Sequence, residues 1–527
     1  MAWAPLWESN LLASLRRPRR GRAFRISLAV AVSLSALLSL PPSSPAAHGE
    51  EWSPVAEGVA YRLYELGDPN LVHVARLSLS SPEVIIESSL GSGELSEGFE
   101  TVSSMAQRYN DAVISWGGQW GPRARVLVAI NGSSFDAETG RPYGGTFQSG
   151  WYLEEYGDLA GGTGFVWTTE GRGLMRGCVQ HKDELQVVTR LATGERHELD
   201  AVNVDRDNGL ALFTPHYATW TPPAEGEVEV VLRVEHPVGV VPLPRYATAT
   251  VVEVRESNGG TPLLFDQVVL AARSRNVKDF LRSLRPGEAL GISRQITDLG
   301  FGCRREGSVD WSDVYAAIGG GFVFLLDGEV RISDDLGALI RDPRTAVCLN
   351  QDFVYFVVVD GRKDGVSEGM TLEELAEFCR DELDARWGLN QDGGGSSAMW
   401  IDGEIVNQPS DGEERGVANG LLMVAVEPTA RSNRFGEGFD VLVQHPGEVR
   451  TGPGPSFPDL RTVTPGERVR IARTASGLRG VFSAGSYWWK AEVGGVTGFL
   501  AEQSLVNPDS ALAWINLPAP TLVVADP

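Results

Sequence analysis

Asn390-Gln391-Asp392-Gly393-Gly394-Gly395-Ser396-Ser397 decides how this chain reads. Three consecutive glycines remove every Cβ from a loop, so backbone N–H groups can converge on an anion or lie flat against a ligand. A carboxylate, Asp392, comes just before the glycines, and two hydroxyls, Ser396 and Ser397, follow them. That combination suits a ligand both anionic and hydroxylated; a plain glycine-rich turn between strands is the alternative. No Lys follows the glycines, which excludes a phosphate-binding P-loop. The pattern G-x-S-x-G fails at Ala398, and the only later histidine, His445, falls in another predicted domain, so a Ser-His-Asp hydrolase does not fit.

Upstream of the octet, Phe353–Val359 is a continuous apolar, β-branched run that predicts a buried strand. Thr371-Leu372-Glu373-Glu374 has capping-box spacing. Leu372, Leu375, Ala376, Cys379 and Leu383 follow at helical intervals, with Gly388 expected just past the helix end. Trp387–Asn390 is then the strand that delivers the glycine loop. A strand–helix–strand crossover makes the two strands parallel, so Asp360 and Asp392 are both expected at carboxyl ends, where α/β sheets place ligands. Residues 345–349 pair back onto 353–359 as a hairpin and return Arg344 and Thr345 toward Asp360. Arg344 offers a planar fork suited to phosphate; a structural ion pair with Asp360 is the alternative. Downstream, Asp402-Gly403 predicts a hairpin, and 421–426 a closing strand. Earlier, the apolar run 126–130 empties into Asn131-Gly132-Ser133-Ser134-Phe135, a second polar strand-end loop.

Taken together, these pieces resemble the phosphodiester glycosidase family, whose best-known activity removes a covering N-acetylglucosamine from mannose-phosphate tags. The resemblance runs in order through Asn131–Phe135, Ile318-Gly319-Gly320-Gly321, Asp342-Pro343-Arg344-Thr345-Ala346 and Val358-Val359-Asp360-Gly361-Arg362. It continues through the glycine octet, Val406-Asn407-Gln408-Pro409-Ser410-Asp411 and Val417-Ala418-Asn419. Two positions depart from the family pattern: Gln391 stands for the usual Leu, and Cys348 for the usual Gly. The resemblance implies a hydrolase that cleaves the glycosidic bond of a sugar 1-phosphodiester. Under that implication Asp392 and Asp360 share the roles of acid, base and oxocarbenium stabiliser, in an order the sequence does not fix. Arg344, Arg362 and Arg415 neutralise the departing phosphate. Thr345, Gly393, Gly394, Gly395, Ser396 and Ser397 hold phosphate oxygens or sugar hydroxyls, while Asn131, Asn407 and Asn419 orient the ring. A teichoic-acid-type phosphodiesterase and a non-catalytic exopolysaccharide-binding or assembly protein are the competing readings.

At 527 residues the chain is long enough for more than one domain. Arg16, Arg17, Arg19, Arg20, Arg22 and Arg25 precede the apolar run 26–40, and small residues follow to Ala47. That order predicts a signal peptide over 1–47 and a secreted, surface-bound or periplasmic protein, with an uncleaved membrane anchor as the alternative. Removing 1–47 takes away six Arg and one Glu and deepens the formal charge from −23 to −28. Nothing basic is concentrated enough for nucleic-acid binding. The expected partners are a phosphorylated glycan or a cell-wall polymer. The four cysteines, Cys178, Cys303, Cys348 and Cys379, form no C-x-x-C, and no metal ligand set is evident. The stretch from Asp360 fails as an EF-hand, with Arg362 at its third position; no cofactor is expected, and a calcium elsewhere is left open.

The fold class read from these patterns is α+β: a mixed-sheet catalytic domain over 55–430 and a small SH3-like β-barrel over 440–510. Residues 185–296 alternate short β-like runs with Pro and Gly and are read as part of the catalytic domain, with an inserted domain as the alternative. A short helix is expected over 276–284. The tail carries Arg450-Thr451-Gly452-Pro453-Gly454 and Tyr487-Trp488-Trp489-Lys490, which resemble a bacterial SH3-type domain and imply peptidoglycan binding. Trp488 and Trp489 are either its binding platform or its core, with at least one expected inside.

Overall fold

Alternation along single strands assigns each face to its core. In Phe353–Val359, Val354, Phe356 and Val358 enter one core, and Tyr355, Val357 and Val359 enter another. Both faces are covered, which is why the run reads as unbroken apolar sequence. The computed structural model describes residues 51–81, 84–96, 98–111, 123–156, 162–168, 171–180, 185–234, 246–293, 296–299, 311–426, 432, 434–455, 457–474, 480–483 and 486–508. The signal peptide expected over 1–47 lies outside the described residues.

The central sheet runs in the order Ser53–Ala56, Val59–Leu66, Asn70–Ser78, Phe353–Val359, Arg344–Leu349, Trp387–Asn390, Val323–Leu326, Glu329–Val330. Arg344–Leu349 pairs antiparallel with both Phe353–Val359 and Trp387–Asn390. The last two therefore point the same way, as the crossover predicts, but the hairpin strand lies between them. Their connecting helix, Leu372–Leu383, starts at a capping box: Glu374 N donates to Thr371 Oγ1 at 3.1 Å and Thr371 N to the Glu374 carboxylate at 2.9 Å. Gly388 does not end this helix. Asp384 does, in the left-handed conformation, which Asp tolerates better than most residues. Gly388 is already inside the next strand.

A second sheet, in the order Glu404–Ile405, Met399–Ile401, Arg123–Asn131, Asn419–Val426, Val84–Leu90, faces the first across a shared core. The hairpin expected at Asp402-Gly403 forms, with both residues at positive φ. Residues 185–296 supply all eight strands of one sheet, antiparallel except where Ala201–Val202 pairs parallel with Leu210–Phe213, and the helix Arg275–Ser283, within a residue of its expected place. Their core continues into Phe147, Trp151 and Val166 of a neighbouring six-stranded sheet. The described residues are thus β-rich with few helices.

After residue 440, short antiparallel strands enclose a core of their own that includes Val449, Val469, Trp489 and Leu500. Trp488 and Trp489 are both buried, and Trp489 Nε1 donates to Glu502 at 2.7 Å. This tail is docked onto the 185–296 region. Lys490 Nζ donates to both Asp266 oxygens at 2.6 and 2.8 Å, with both residues buried. Beside that pair, Phe265 N donates to Thr451 O at 2.8 Å, and the Phe265 ring meets Phe457 edge-on.

Candidate active site

The glycine octet leaves the central sheet at Asn390 and is tied to both sheets at once. Gln391 N donates to Thr345 O at 2.8 Å, and Asp392 N to Gly132 O at 2.9 Å. Asn131, at the end of its strand, donates from Nδ2 to Asp392 O at 2.8 Å. Its Oδ1 accepts from Thr345 Oγ1 at 2.8 Å and Ala398 N at 3.2 Å. Asn419 Oδ1 accepts from Ser133 N at 2.9 Å and so fixes the 131–134 loop. Asn407 Nδ2 donates to Ser397 O at 3.1 Å, and its Oδ1 accepts from Met399 N at 2.8 Å. Asn131, Asn407 and Asn419 are all buried, and Thr345 with them. Both ends of each of these three amides are hydrogen-bonded, which holds the loop in one shape, since an unpaired buried polar group is costly.

In front of the loop lies a cavity of about 620 Å³. Asp392, Gly393, Gly394 and Gly395 form one wall, with Ser134, Arg344, Arg362 and Arg415 around it. Ser134 Oγ donates to Asp392 Oδ1 at 2.9 Å. Arg362 forks onto Asp342 at 2.7 and 3.0 Å, a bond that raises its pKa, and holds a left-handed backbone at φ 60°. Arg415 donates from Nε and Nη2 to Asp411 Oδ2 at 3.0 and 2.6 Å. The glycines are what let these guanidiniums sit so low. A Cβ on Gly394, whose φ is +61°, would stand 2.8 Å from Arg362 Nη2. One on Gly395 would stand 2.1 Å from Asp411 Oδ2 and 2.2 Å from Arg415 Nη2.

Arg344 also lines the cavity, but its Nε and Nη2 are committed to backbone. Nε donates to Met370 O at 2.7 Å, and Nη2 to Gly337 O at 2.7 Å and Ile340 O at 2.6 Å. Burial lowers its pKa. No ion pair joins it to Asp360 among the described residues. Asp360 is buried behind the loop, where it accepts from Gln408 N at 2.9 Å and Asn407 Nδ2 at 3.2 Å, with His73 Nε2 at 3.4 Å. It is not among the residues that line this cavity. The Ser396 and Ser397 hydroxyls are buried without a partner, and so are both ends of the Gln391 amide.

The structure thus gathers Asp392, the three glycines, Arg344, Arg362 and Arg415 around one space and sets Asn131, Thr345, Asp360, Asn407 and Asn419 behind it. Sequence reasoning did not single out Ser134, Asp342 or Asp411 as functional. Each lay within a quoted motif, but its partner is distant or depends on a turn. It also missed the wall made by 333–340, a segment with no clear apolar period. No cluster of three or more His, Cys, Asp or Glu side chains stands ready for a metal among the described residues. Cys178 is disulfide-bonded, while Cys348 and Cys379 are buried free thiols.

Residues 248–424 match the family model described as phosphodiester glycosidase. This stretch is a phosphodiester glycosidase domain. It contains every cavity residue named above except Ser134, which the Arg123–Asn131 strand brings in from outside the match. No curated protein matches the chain. Among solved structures, a hypothetical protein from Synechocystis is similar at 16% identity and a TM-score of 0.46, over 70% of this chain and 62% of that one. The present chain therefore spans less than two thirds of the Synechocystis chain. A Burkholderia pseudomallei protein described as exported is similar at 19% identity and a TM-score of 0.47, over 67% and 74% of the two chains. The catalytic domain of zebrafish N-acetylglucosamine-1-phosphodiester alpha-N-acetylglucosaminidase, auto-inhibited by its pro-peptide, is similar at 15% identity and a TM-score of 0.35, over 70% and 84%.

Proposed function

We propose that the chain is an exported hydrolase that cleaves the glycosidic bond of a sugar 1-phosphodiester, of the N-acetylglucosamine-1-phosphodiester kind, on a cell-wall or extracellular polymer. The observation that supports this most is one cavity holding a carboxylate, Asp392, and two guanidiniums, Arg362 and Arg415, over a floor without Cβ atoms. A departing phosphate needs its charge met, and preset donors do that without reorganising during reaction. The carbon–oxygen bond at the anomeric centre breaks, the electron pair leaves with the phosphate oxygen, and water oxygen bonds to that carbon. Asp392 carries the proton transfers, steadied by Ser134. Asp360 acts through Asn407 and the loop behind the cavity and serves as a positioning residue. Export is supported by the basic–apolar–small order of 1–47 and by the disulfide at Cys178, since disulfides persist in oxidising compartments. The tail, read as an SH3-like module, is the part that would hold peptidoglycan.

Hydrolysis in water enriched in heavy oxygen tests the reaction. The label should appear in the anomeric hydroxyl of the released sugar. Label in the released phosphate instead would mean cleavage of the phosphorus–oxygen bond, the teichoic-acid-type chemistry. No release from any sugar 1-phosphodiester of a broad panel would leave a binding protein.

A further inference from the structure

One wall of the Asp392 cavity carries an unusual outer surface. Within nine residues, Ile332 is 65% exposed, Leu336 80%, Leu339 52% and Ile340 56%. The intervening Ser333, Asp335, Gly337 and Ala338 line the cavity, and Ile340 belongs to both surfaces. This ridge is fastened down. Asp335 caps the short helix Leu336–Leu339 by accepting from Gly337 N at 2.7 Å. Arg344 clasps the Gly337 and Ile340 carbonyls from beneath. Single exposed apolar side chains need no explanation, but four on one pinned segment at a cavity mouth mark a binding surface. The neighbouring charges say what it takes. Cationic Arg362 and Arg415 suit an anionic head, and the adjoining ridge suits an aliphatic chain.

We propose that the substrate is an amphiphile: a sugar 1-phosphodiester whose second ester is an aliphatic chain, seated on Ile332, Leu336, Leu339 and Ile340. This rests on the phosphodiester reading above, and it names the group on the far side of the phosphate.

Titration calorimetry of the whole chain with methyl phosphate, octyl phosphate and octanol tests it without turnover. Each buried methylene is worth about fourfold in affinity, so octyl phosphate should bind at least about tenfold more tightly than methyl phosphate even if the chain is only partly covered. Octanol, without the head group, should bind more weakly than octyl phosphate. The double variant Leu336→Ser, Leu339→Ser should cut the octyl preference by at least about threefold, and exposed substitutions of this kind rarely threaten folding. Equal affinity for the two phosphates overturns the proposal. So does an octyl preference untouched by the double variant, or octanol binding as tightly as octyl phosphate. A protein that hydrolyses no phosphodiester but passes this titration would lose the activity reading and keep the amphiphile site.

Discussion

Ser134 Oγ reaches the Asp392 carboxylate at 2.9 Å across 258 residues of chain. The bond joins the end of one sheet to the loop of the other at the point where the cavity opens. A carboxylate held by one hydroxyl keeps free lone pairs toward the cavity and is suited to exchanging a proton there.

Asp392→Asn should therefore fold as the parent does and lose about 10²–10⁴-fold in turnover of a sugar 1-phosphodiester, the usual contribution of a positioned acid or base. Steady-state kinetics beside a thermal melt checks both halves. A folded variant with near-parental turnover would remove Asp392 from the chemistry.

Gly395→Ala places a methyl group 2.1 Å from Asp411 Oδ2 and 2.2 Å from Arg415 Nη2. That pair is half-exposed and can shift, so the protein should stay folded while the guanidinium lifts off the cavity floor. The expected result is a KM for an anionic diester raised about tenfold, the worth of roughly one charge-assisted hydrogen bond. Unchanged KM would show that Arg415 does not read the phosphate.

Arg344→Lys separates support from recognition. A lysine keeps the charge but cannot match the planar fork on Met370, Gly337 and Ile340. Chemical denaturation should register a loss of about 1–3 kcal/mol, the cost of leaving buried carbonyls short of donors. Full stability with impaired kinetics would make Arg344 a phosphate ligand first.

Lys490→Met leaves the buried Asp266 carboxyl without its partner and should destabilise by about 3–5 kcal/mol. Adding Asp266→Leu should restore much of that loss. A single variant as stable as the parent would mean that water reaches the pair. Truncation near residue 431 would instead give Asp266 to water and uncover the Phe265 ring that packs on Phe457 and Phe499, so the rest of the chain is not indifferent to losing its tail.

The sequence carried the local signals faithfully. Phe353–Val359, Trp387–Asn390 and the capped helix between them appear where apolar runs and Thr371–Glu374 spacing put them. Residues 390–395 of the octet do line a cavity, while Ser396 and Ser397 are buried and do not line it. What was illegible depended on distant partners. Asp360 ends its strand on the inward face, so its oxygens go to Gln408 and Asn407, some fifty residues later in the chain. Arg344 shares a strand with Thr345 but faces the opposite side, where Gly337 and Ile340 supply carbonyls that no side-chain pattern announces. Helix termination by Asp384 was hidden because a glycine nearby offered the more usual signal.

The Lys490–Asp266 contact also bears on how such a chain can diversify. A polar connection after residue 426 looks like a place where a tail could be exchanged between proteins by recombination. Here the tail and the 185–296 region form a matched pair, because a graft that changes one without the other strands a charge between them. Relatives that share this domain but carry other tails should differ at position 266 as well, and the two positions should change together.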